Sequence, residues 1–253
     1  MTLTVQQPPN ARSRIIAALP PFPAVAVKLL KVISNDDCAL PQLSQLVRSD
    51  ACFSAEILRL ANSPVLAMRF QVVSVLHAVS VLGIDRLRSL VITIAMRDML
   101  RGAKTNDLLK QSWRHNFACA LACEWMGEAC GMDRSVSYTA GLLHELGRLA
   151  MVGAFGNRYL WIHEKAVREG HDLEALERSA LGIDQFESGA ILAEEWNLPP
   201  ALAAAVSHRR PALDAPFGVA HLVAAGCDIS NRLGFPIAGP AAEWDPGDCP
   251  TFR

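Results

Sequence analysis

Apolar residues fall at helical spacing along most of this chain. Val25, Val27, Leu29, Leu30, Val32 and Ile33 make one broad apolar face, with Lys28 and Lys31 set between them. Phe53, Ile57, Leu58 and Leu60 repeat the period, and so do Leu87, Leu90, Val91, Ile94 and Met96. Alternating runs bounded by Asn-Gly or Asp-Gly turns are missing, so hardly any strand is expected. The predicted class is all-α.

Proline, glycine and capping residues divide the pattern into separate helices. A short helix is predicted over 12–19. Leu19-Pro-Pro-Phe-Pro23 ends it, because proline lacks the backbone donor and blocks the preceding turn. Pro23 suits the first turn of the next helix, which Asn35, Asp36 and Asp37 close. Helices are predicted over 40–47 and 51–61, the second capped by Asp50 and stopped at Asn62-Ser-Pro64. A helix over 74–82 is expected to end at Gly83 in a left-handed cap, and Asp85 opens another through Met96. Leu19 to Ile94 is read as one bundle with Val27, Leu30, Ile57, Leu60, Leu82 and Leu90 in its core.

The polar stretch 102–107 is the best joint in the chain. A long helix follows it, through Trp113, His115 and Phe117 to about Cys130, and Gly131 and Asp133 separate that helix from one carrying His144. Further helices are predicted from Asn157 and over 172–181 and 184–196, the last two capped by Asp172 and Asp184. Leu198-Pro-Pro200 precedes a short helix over 201–208 and a final one over 216–233. Trp113, Trp125, Trp161 and Trp196 are expected in the core or between subdomains. No internal repeat is found, and the tail from Gly239 carries turn formers without periodicity.

Composition narrows the function classes. Hydrophobic residues make up 51% of 253, enough for a large core. The 24 Lys and Arg nearly balance the 25 Asp and Glu, with no block of like charge, which argues against a protein built to neutralise nucleic acid. Seven cysteines, an odd number with no Cys-x-x-Cys, read as reduced thiols and point to a cytoplasmic protein. No apolar run reaches the ~18 residues of a membrane span, so no membrane partner is expected. Arg12, Arg14 and Ala24-Val-Ala26 imitate a signal peptide, but Pro20, Pro21 and Pro23 interrupt it.

Two sets of residues carry a family resemblance. Tyr138-Thr-Ala-Gly-Leu-Leu-His144-Glu145-Leu-Gly-Arg148 is an apolar run, read as a buried helix, that bears adjacent ligand-type side chains. It resembles the signature dyad of the HD superfamily of metal-dependent phosphohydrolases, with Glu in place of Asp. Four further segments occur in order: Leu19-Pro-Pro-Phe-Pro-Ala-Val-Ala26, Leu46-Val-Arg-Ser-Asp50, Leu58-Arg-Leu-Ala-Asn-Ser63 and Ala78-Val-Ser-Val-Leu-Gly-Ile-Asp-Arg-Leu87. Together they are similar to the HDOD domain, the HD-related output domain of bacterial signalling proteins, over about residues 15–235. The resemblance implies an N-terminal helical bundle fused to an HD-like helical bundle. It divides the chain into an arm (1–14), an N-terminal helical subdomain (15–105), an HD-like subdomain (106–235) and a tail (236–253).

By the same resemblance, His115, His144, Glu145 and Asp228 stand where an HD-type site would hold a divalent ion that polarises phosphoryl oxygens and activates a water. Glu145 is one methylene too long, on the order of 1.5 Å, and misplacement of ~1 Å can cost ~100-fold in rate. The site therefore reads as degenerate, and its bland counterpart is hydrogen bonding of His144 and Glu145 within the bundle. His115, Cys119 and Cys123 recur every four residues and offer a zinc-like face, against which stands simple core packing. His208, Arg209 and Arg210 are candidate contacts for a phosphorylated ligand, or a basic helix end. The expected function is a non-catalytic signal-transduction module that binds a protein partner or a small signalling ligand, the partner acting in trans, with no cofactor. The alternative is a metal-dependent phosphohydrolase acting on a nucleotide or phosphoester, which would need a divalent metal. A nucleic-acid-binding regulator ranks third.

Overall fold

The structure, a computed structural model, describes residues 10–18, 28, 40–49, 51–62, 71–102, 107–207, 210–211 and 215–237. Among these the helices are α1 (Ala11–Ala18), α2 (Leu40–Arg48), α3 (Ala51–Ala61), α4 (Val75–Gly102), α5 (Asp107–Ala129) and α6 (Arg134–Leu143). They continue with α7 (Leu146–Phe155), α8 (Asn157–Glu169), α9 (Leu173–Leu181), α10 (Gln185–Glu195), α11 (Pro200–Ser207) and α12 (Val219–Arg232). No strand occurs among the described residues, so the all-α class holds.

The local signals act where the sequence places them. Asp133 caps α6 by accepting from the Val136 backbone N–H at 2.7 Å. Asp172 accepts from Glu174 and Ala175 at the start of α9. Asp184 and Glu187 form a reciprocal capping box on α10. Gly83 does interrupt α4, but not as the left-handed cap expected: its φ of 75° and ψ of 164° make a kink between two helical stretches. Only glycine adopts that positive-φ, extended-ψ conformation without strain.

One continuous apolar core runs through the protein, from Ile57, Val79 and Leu87 to Leu143, Leu149, Val206 and Leu222. α2 and α3 pack on α4, and α4 leans on α6. There the Thr93 and Tyr138 hydroxyls share a 2.6 Å hydrogen bond. α5, α6 and α12 pack mutually, and α10 seats against both α7 and α11. Of the six expected core residues, Ile57 and Leu82 are buried and Leu90 is partly buried against the core. The side chains of Val27, Leu30 and Leu60 lie outside the described residues.

The first helix belongs to the far half of the chain. α1 packs on α7 and α10, Ile15 is fully buried, and Arg12 reaches Glu194 at 2.7 Å. A Cβ on Gly153 would stand 2.9 Å from the Ala18 carbonyl, so α1 and α7 touch backbone to backbone. The division expected between residues 14 and 15 thus falls inside a helix, and the one expected at 105 runs through a shared core. Two tryptophans depart from expectation. Trp125 and Trp161 are 67% and 59% exposed, Trp161 lying under the Lys165 ammonium at 5.4 Å, while Trp113 and Trp196 are partly buried against the core.

Candidate ligand and metal site

His144 and Glu145 sit at a helix break, not inside one buried helix. α6 ends at Leu143, His144 is its C-cap, and Glu145 precedes α7. Two glycines flank the break. A Cβ at Gly141 would meet the Ala120 Cα at 2.8 Å, so α6 lies flush on α5. A Cβ at Gly147 would meet the Gln185 carbonyl oxygen at 1.8 Å, so α7 lies flush on α10. The chain turns between these two contacts.

That turn aims two adjacent side chains in different directions. His144 Nδ1 lies 2.7 Å from the Gly141 carbonyl. A carbonyl oxygen only accepts, so Nδ1 carries the proton and Nε2 is the nitrogen left for other chemistry. Nε2 stands 3.2 Å from the Cys227 sulfur on α12. On α5, His115 Nδ1 donates in the same way to the Phe235 carbonyl at 2.8 Å. The two imidazoles face each other with ring centroids 5.3 Å apart. One ligand atom from each of His115, His144 and Cys227 lies within 4.8 Å of the other two.

Glu145 points elsewhere. Its Oε1 accepts from Arg148 Nε at 3.1 Å, and both side chains are buried. Arg148 also donates to the Tyr159 hydroxyl at 3.5 Å; that hydroxyl donates to Glu177 at 2.7 Å, and the other Glu177 oxygen accepts the Gln185 N–H at 2.9 Å. Burial pushes the Glu177 carboxyl above its ordinary pKa, against the pull of Arg148, Tyr159 and the Gln185 N–H. Glu145 Oε2 is buried with no hydrogen-bond partner among the described residues.

Of the four residues placed by resemblance at an HD-type site, the structure therefore brings together His115 and His144 only. Asp228 pairs with Arg210 at the surface and stands outside the three-residue cluster. The neighbouring Cys227 takes the inward position. It follows Val219 and Val223 at steps of four along the buried side of α12, while Asp228 is turned by about 100°. That spacing was readable in the sequence, but the ligand expectation favoured the carboxylate. No spacing or motif in the sequence singles out Arg148, Tyr159 and Glu177 as a connected group. The zinc-like face resolves into packing for two of its members. Cys119 and Cys123 donate weakly to the Val223 and Leu222 carbonyls, and Gly226 leaves room for both sulfurs. His208 and Arg209 lie outside the described residues.

Electrostatics separate the two members of the His144–Cys227 pair. Burial acts to lower the His144 pKa, but the Cys227 sulfur, Glu145 and the Gly141 carbonyl outweigh it and lift the imidazole to about 9. Cys227 is held well below the ordinary thiol range by hydrogen bonding from Cys119 first, then, against its burial, by His144 and His115. The direction is toward thiolate facing imidazolium, as in other histidine-paired cysteines. Cys119, by contrast, is pushed up by burial and stays a thiol.

These groups open on a cavity of about 240 Å³. Its walls include His115, His144, Glu145, Arg210 and Asn231 on the polar side and Phe186, Ala205, Pro211 and Val223 on the apolar side.

A hard divalent ion of the phosphohydrolase type does not fit this arrangement. Such ions take oxygen ligands. The converging donors here are two nitrogens and a sulfur, while Glu145 and Asp228 are each engaged by an arginine.

Behind the Glu145–Arg148 pair lies His163, 7% exposed, with Nε2 unpartnered among the described residues. Burial first, and then the Arg148 charge, pushes its pKa down to about 4, against Glu145 and a hydrogen bond involving the Ile237 backbone. A base whose folded pKa is depressed stays neutral while the unfolded chain takes up a proton. Stability is then full above the unfolded value of ~6.5 and falls as pH drops toward 4. We expect His163→Leu to remove about 2 kcal/mol of the stability lost between pH 7 and pH 4.5, allowing for solvent screening. Urea unfolding at the two pH values checks this, and equal acid sensitivity of both proteins would refute it.

Known proteins share this architecture. The HDOD domain model matches residues 19–211, more than half of the chain. A solved structure from Shewanella amazonensis SB2B, named "Putative phosphohydrolase", is 29% identical, covers 88% of this chain and 81% of its own, and superposes with a TM-score of 0.72. An HDOD domain protein of unknown function from Geobacter sulfurreducens is 22% identical, with 93% and 83% coverage and a TM-score of 0.74. A "Putative signal transduction protein" from Marinobacter aquaeolei VT8 is 24% identical, with 95% and 55% coverage and a TM-score of 0.75. The last two speak for the fold alone. A curated, uncharacterised protein of Treponema pallidum (strain Nichols) is 25% identical over 183 residues, and the chain spans 35% of its length. No helix among the described residues is long and apolar enough to cross a membrane. The profile match, the helical architecture and the His115–His144 pairing at the α6–α7 break converge, and the chain belongs to the HDOD family.

Proposed function

We propose that this protein is a non-catalytic HDOD regulatory module of bacterial signal transduction, in which the former phosphohydrolase centre has become a cavity for a small ligand, coupled to a protein partner in trans. The observation that carries the reading is the fate of the two carboxylates. Glu145 is bound by Arg148 and Asp228 by Arg210, so neither oxygen donor of an HD-type centre faces His115 and His144. Without them a hard ion such as Mg²⁺ or Mn²⁺, which takes oxygen ligands, has no carboxylate to hold it where it would polarise a phosphoryl group. The cavity instead offers polar groups suited to recognition, the Asn231 amide and the Arg210 guanidinium, beside apolar side chains such as Phe186 and Val223.

The test is phosphate release from a panel of nucleotides in the presence of Mg²⁺ or Mn²⁺. None is expected from the wild type or from Glu145→Asp, which shortens the carboxylate without freeing it from Arg148. His144→Ala should lower stability by about 1–3 kcal/mol, since it strands the Gly141 carbonyl and the Cys227 sulfur. Turnover by the wild type that His115→Ala or His144→Ala abolishes would make the protein an enzyme and reverse the reading.

A further inference from the structure

We propose that His115, His144 and Cys227 form a binding site for a borderline-soft transition metal, zinc(II) by class, with three protein ligands and a fourth position open to the cavity. The site differs from an HD-type centre in donor set and in ligand positions, since it uses a thiol from α12 and no carboxylate. It goes beyond the regulatory reading and departs from the expectation that the protein carries no cofactor.

Three observations carry it. The first is convergence from three separate elements. The ligand atoms of α5, the α6–α7 break and α12 lie within 4.8 Å of one another. Around a tetrahedral zinc with Zn–N of ~2.1 Å and Zn–S of ~2.3 Å, the N···S separation is ~3.5 Å. The observed 3.2 Å between His144 Nε2 and Cys227 Sγ is close to that span. The second is the outer shell. Zinc-bound histidines almost always donate their other ring N–H to a carbonyl or carboxylate, which fixes tautomer and ring plane. Both imidazoles do so here, His144 to Gly141 at 2.7 Å and His115 to Phe235 at 2.8 Å. The third is the chemistry of the donor set. Two imidazoles and a thiol suit zinc and are poor ligands for Mg²⁺ or Mn²⁺. Cys119 stands behind Cys227 at 3.9 Å and falls outside the cluster, so it supports the ligand sulfur without completing a closed four-ligand site. The fourth position faces a cavity of about 240 Å³, where a water or the donor atom of a small ligand fits.

The experiment uses the full chain without a histidine tag, stripped by chelator and titrated with zinc(II) and, separately, with cobalt(II). One equivalent of zinc should bind, and the cobalt form should show a thiolate-to-metal charge-transfer band in the near ultraviolet. Cys227→Ala should abolish that band and weaken zinc binding by about 100-fold or more, while Asp228→Asn should leave both unchanged. Absence of stoichiometric zinc binding, a cobalt spectrum without thiolate character, or zinc affinity insensitive to Cys227→Ala overturns the proposal. So does a loss in Asp228→Asn as large as in Cys227→Ala. The cobalt band is read on the wild-type protein, so the test survives a variant that folds poorly. Nucleotide hydrolysis is scored separately, and its outcome bears on the regulatory reading alone.

Discussion

Replacing Arg148 by methionine is expected to destabilise the protein by about 3–5 kcal/mol at neutral pH. The guanidinium is built into a buried chain of polar groups: it touches Glu145 and Tyr159 directly and Glu177 through Tyr159. Methionine keeps much of the volume but removes the guanidinium from both buried carboxylates, leaving Glu145 with His144 alone as a nearby positive charge. The attraction lost is modest; the larger part is the desolvation of carboxylates that can no longer be neutralised. Arg148 is also the first of the groups that hold the Glu177 pKa down against burial. In the variant that pKa rises further. A buried carboxyl with a raised pKa destabilises while it must ionise and ceases to do so once protonated, so the deficit should shrink as pH falls through the raised value. Urea unfolding of wild type and Arg148→Met at pH 7 and pH 5 measures both effects. The double variant Glu145→Gln with Arg148→Met should recover part of the loss, because it removes one uncompensated charge. A single-variant cost below about 1 kcal/mol would mean that the network is solvated and that its burial has been misread.

The second large effect is at Gly147. An alanine there is expected to cost about 3 kcal/mol, the upper end for adding a single methyl group to a packed interior. The added Cβ would stand 1.8 Å from the Gln185 carbonyl oxygen and 2.6 Å from the Gly189 nitrogen. Both are backbone atoms in or next to α10, so no side chain can swing away, and the two helices must move apart. On its other side α10 is equally tight against α11, since a Cβ on Gly189 would lie 2.0 Å from the Val206 carbonyl oxygen. Separation of α7 from α10 also shifts Glu145 and Arg148, which begin α7, and so reaches the cavity. Gly218→Ala is the control. Gly218 is extended, and its nearest neighbour would be the Pro216 oxygen at 4.0 Å, so no clash arises and the cost should be only the weaker N-cap preference of alanine, about 0.5–1 kcal/mol. Equal midpoints for Gly147→Ala and wild type in urea would show that the α7–α10 approach is looser than the structure has it.

Much of this architecture is legible in the sequence alone. Helical spacing, prolines and acidic caps act locally, within one or two turns, so Asp133, Asp172 and Asp184 could be read as helix starts from their neighbours alone. The ordered motifs pointed to the HDOD family, and the pairing of His115 with His144 followed from that resemblance.

What the linear pattern leaves open are choices settled between elements distant in sequence. Whether α1 belongs to the first or second half depends on a groove between α7 and α10, which forms only when helices far along the chain have packed. That His144 and Glu145 lie between two helices, with Gly141 and Gly147 flush on different neighbours, is likewise a matter of packing between distant elements. The identity of the third cluster member depends on the rotation of α12 about its own axis. A turn of about 100° exchanges Asp228 for Cys227, and burial of Val223 and Leu222 against α5 and α6 fixes that rotation. Carboxylates were the expected ligands by type, yet each found an arginine, at three residues' distance for Glu145 and at eighteen for Asp228. Residue type and periodicity determined which groups this protein can bring to a site. Tertiary packing decided which of them face one another, because side-chain direction is set by the helix surface that must be buried.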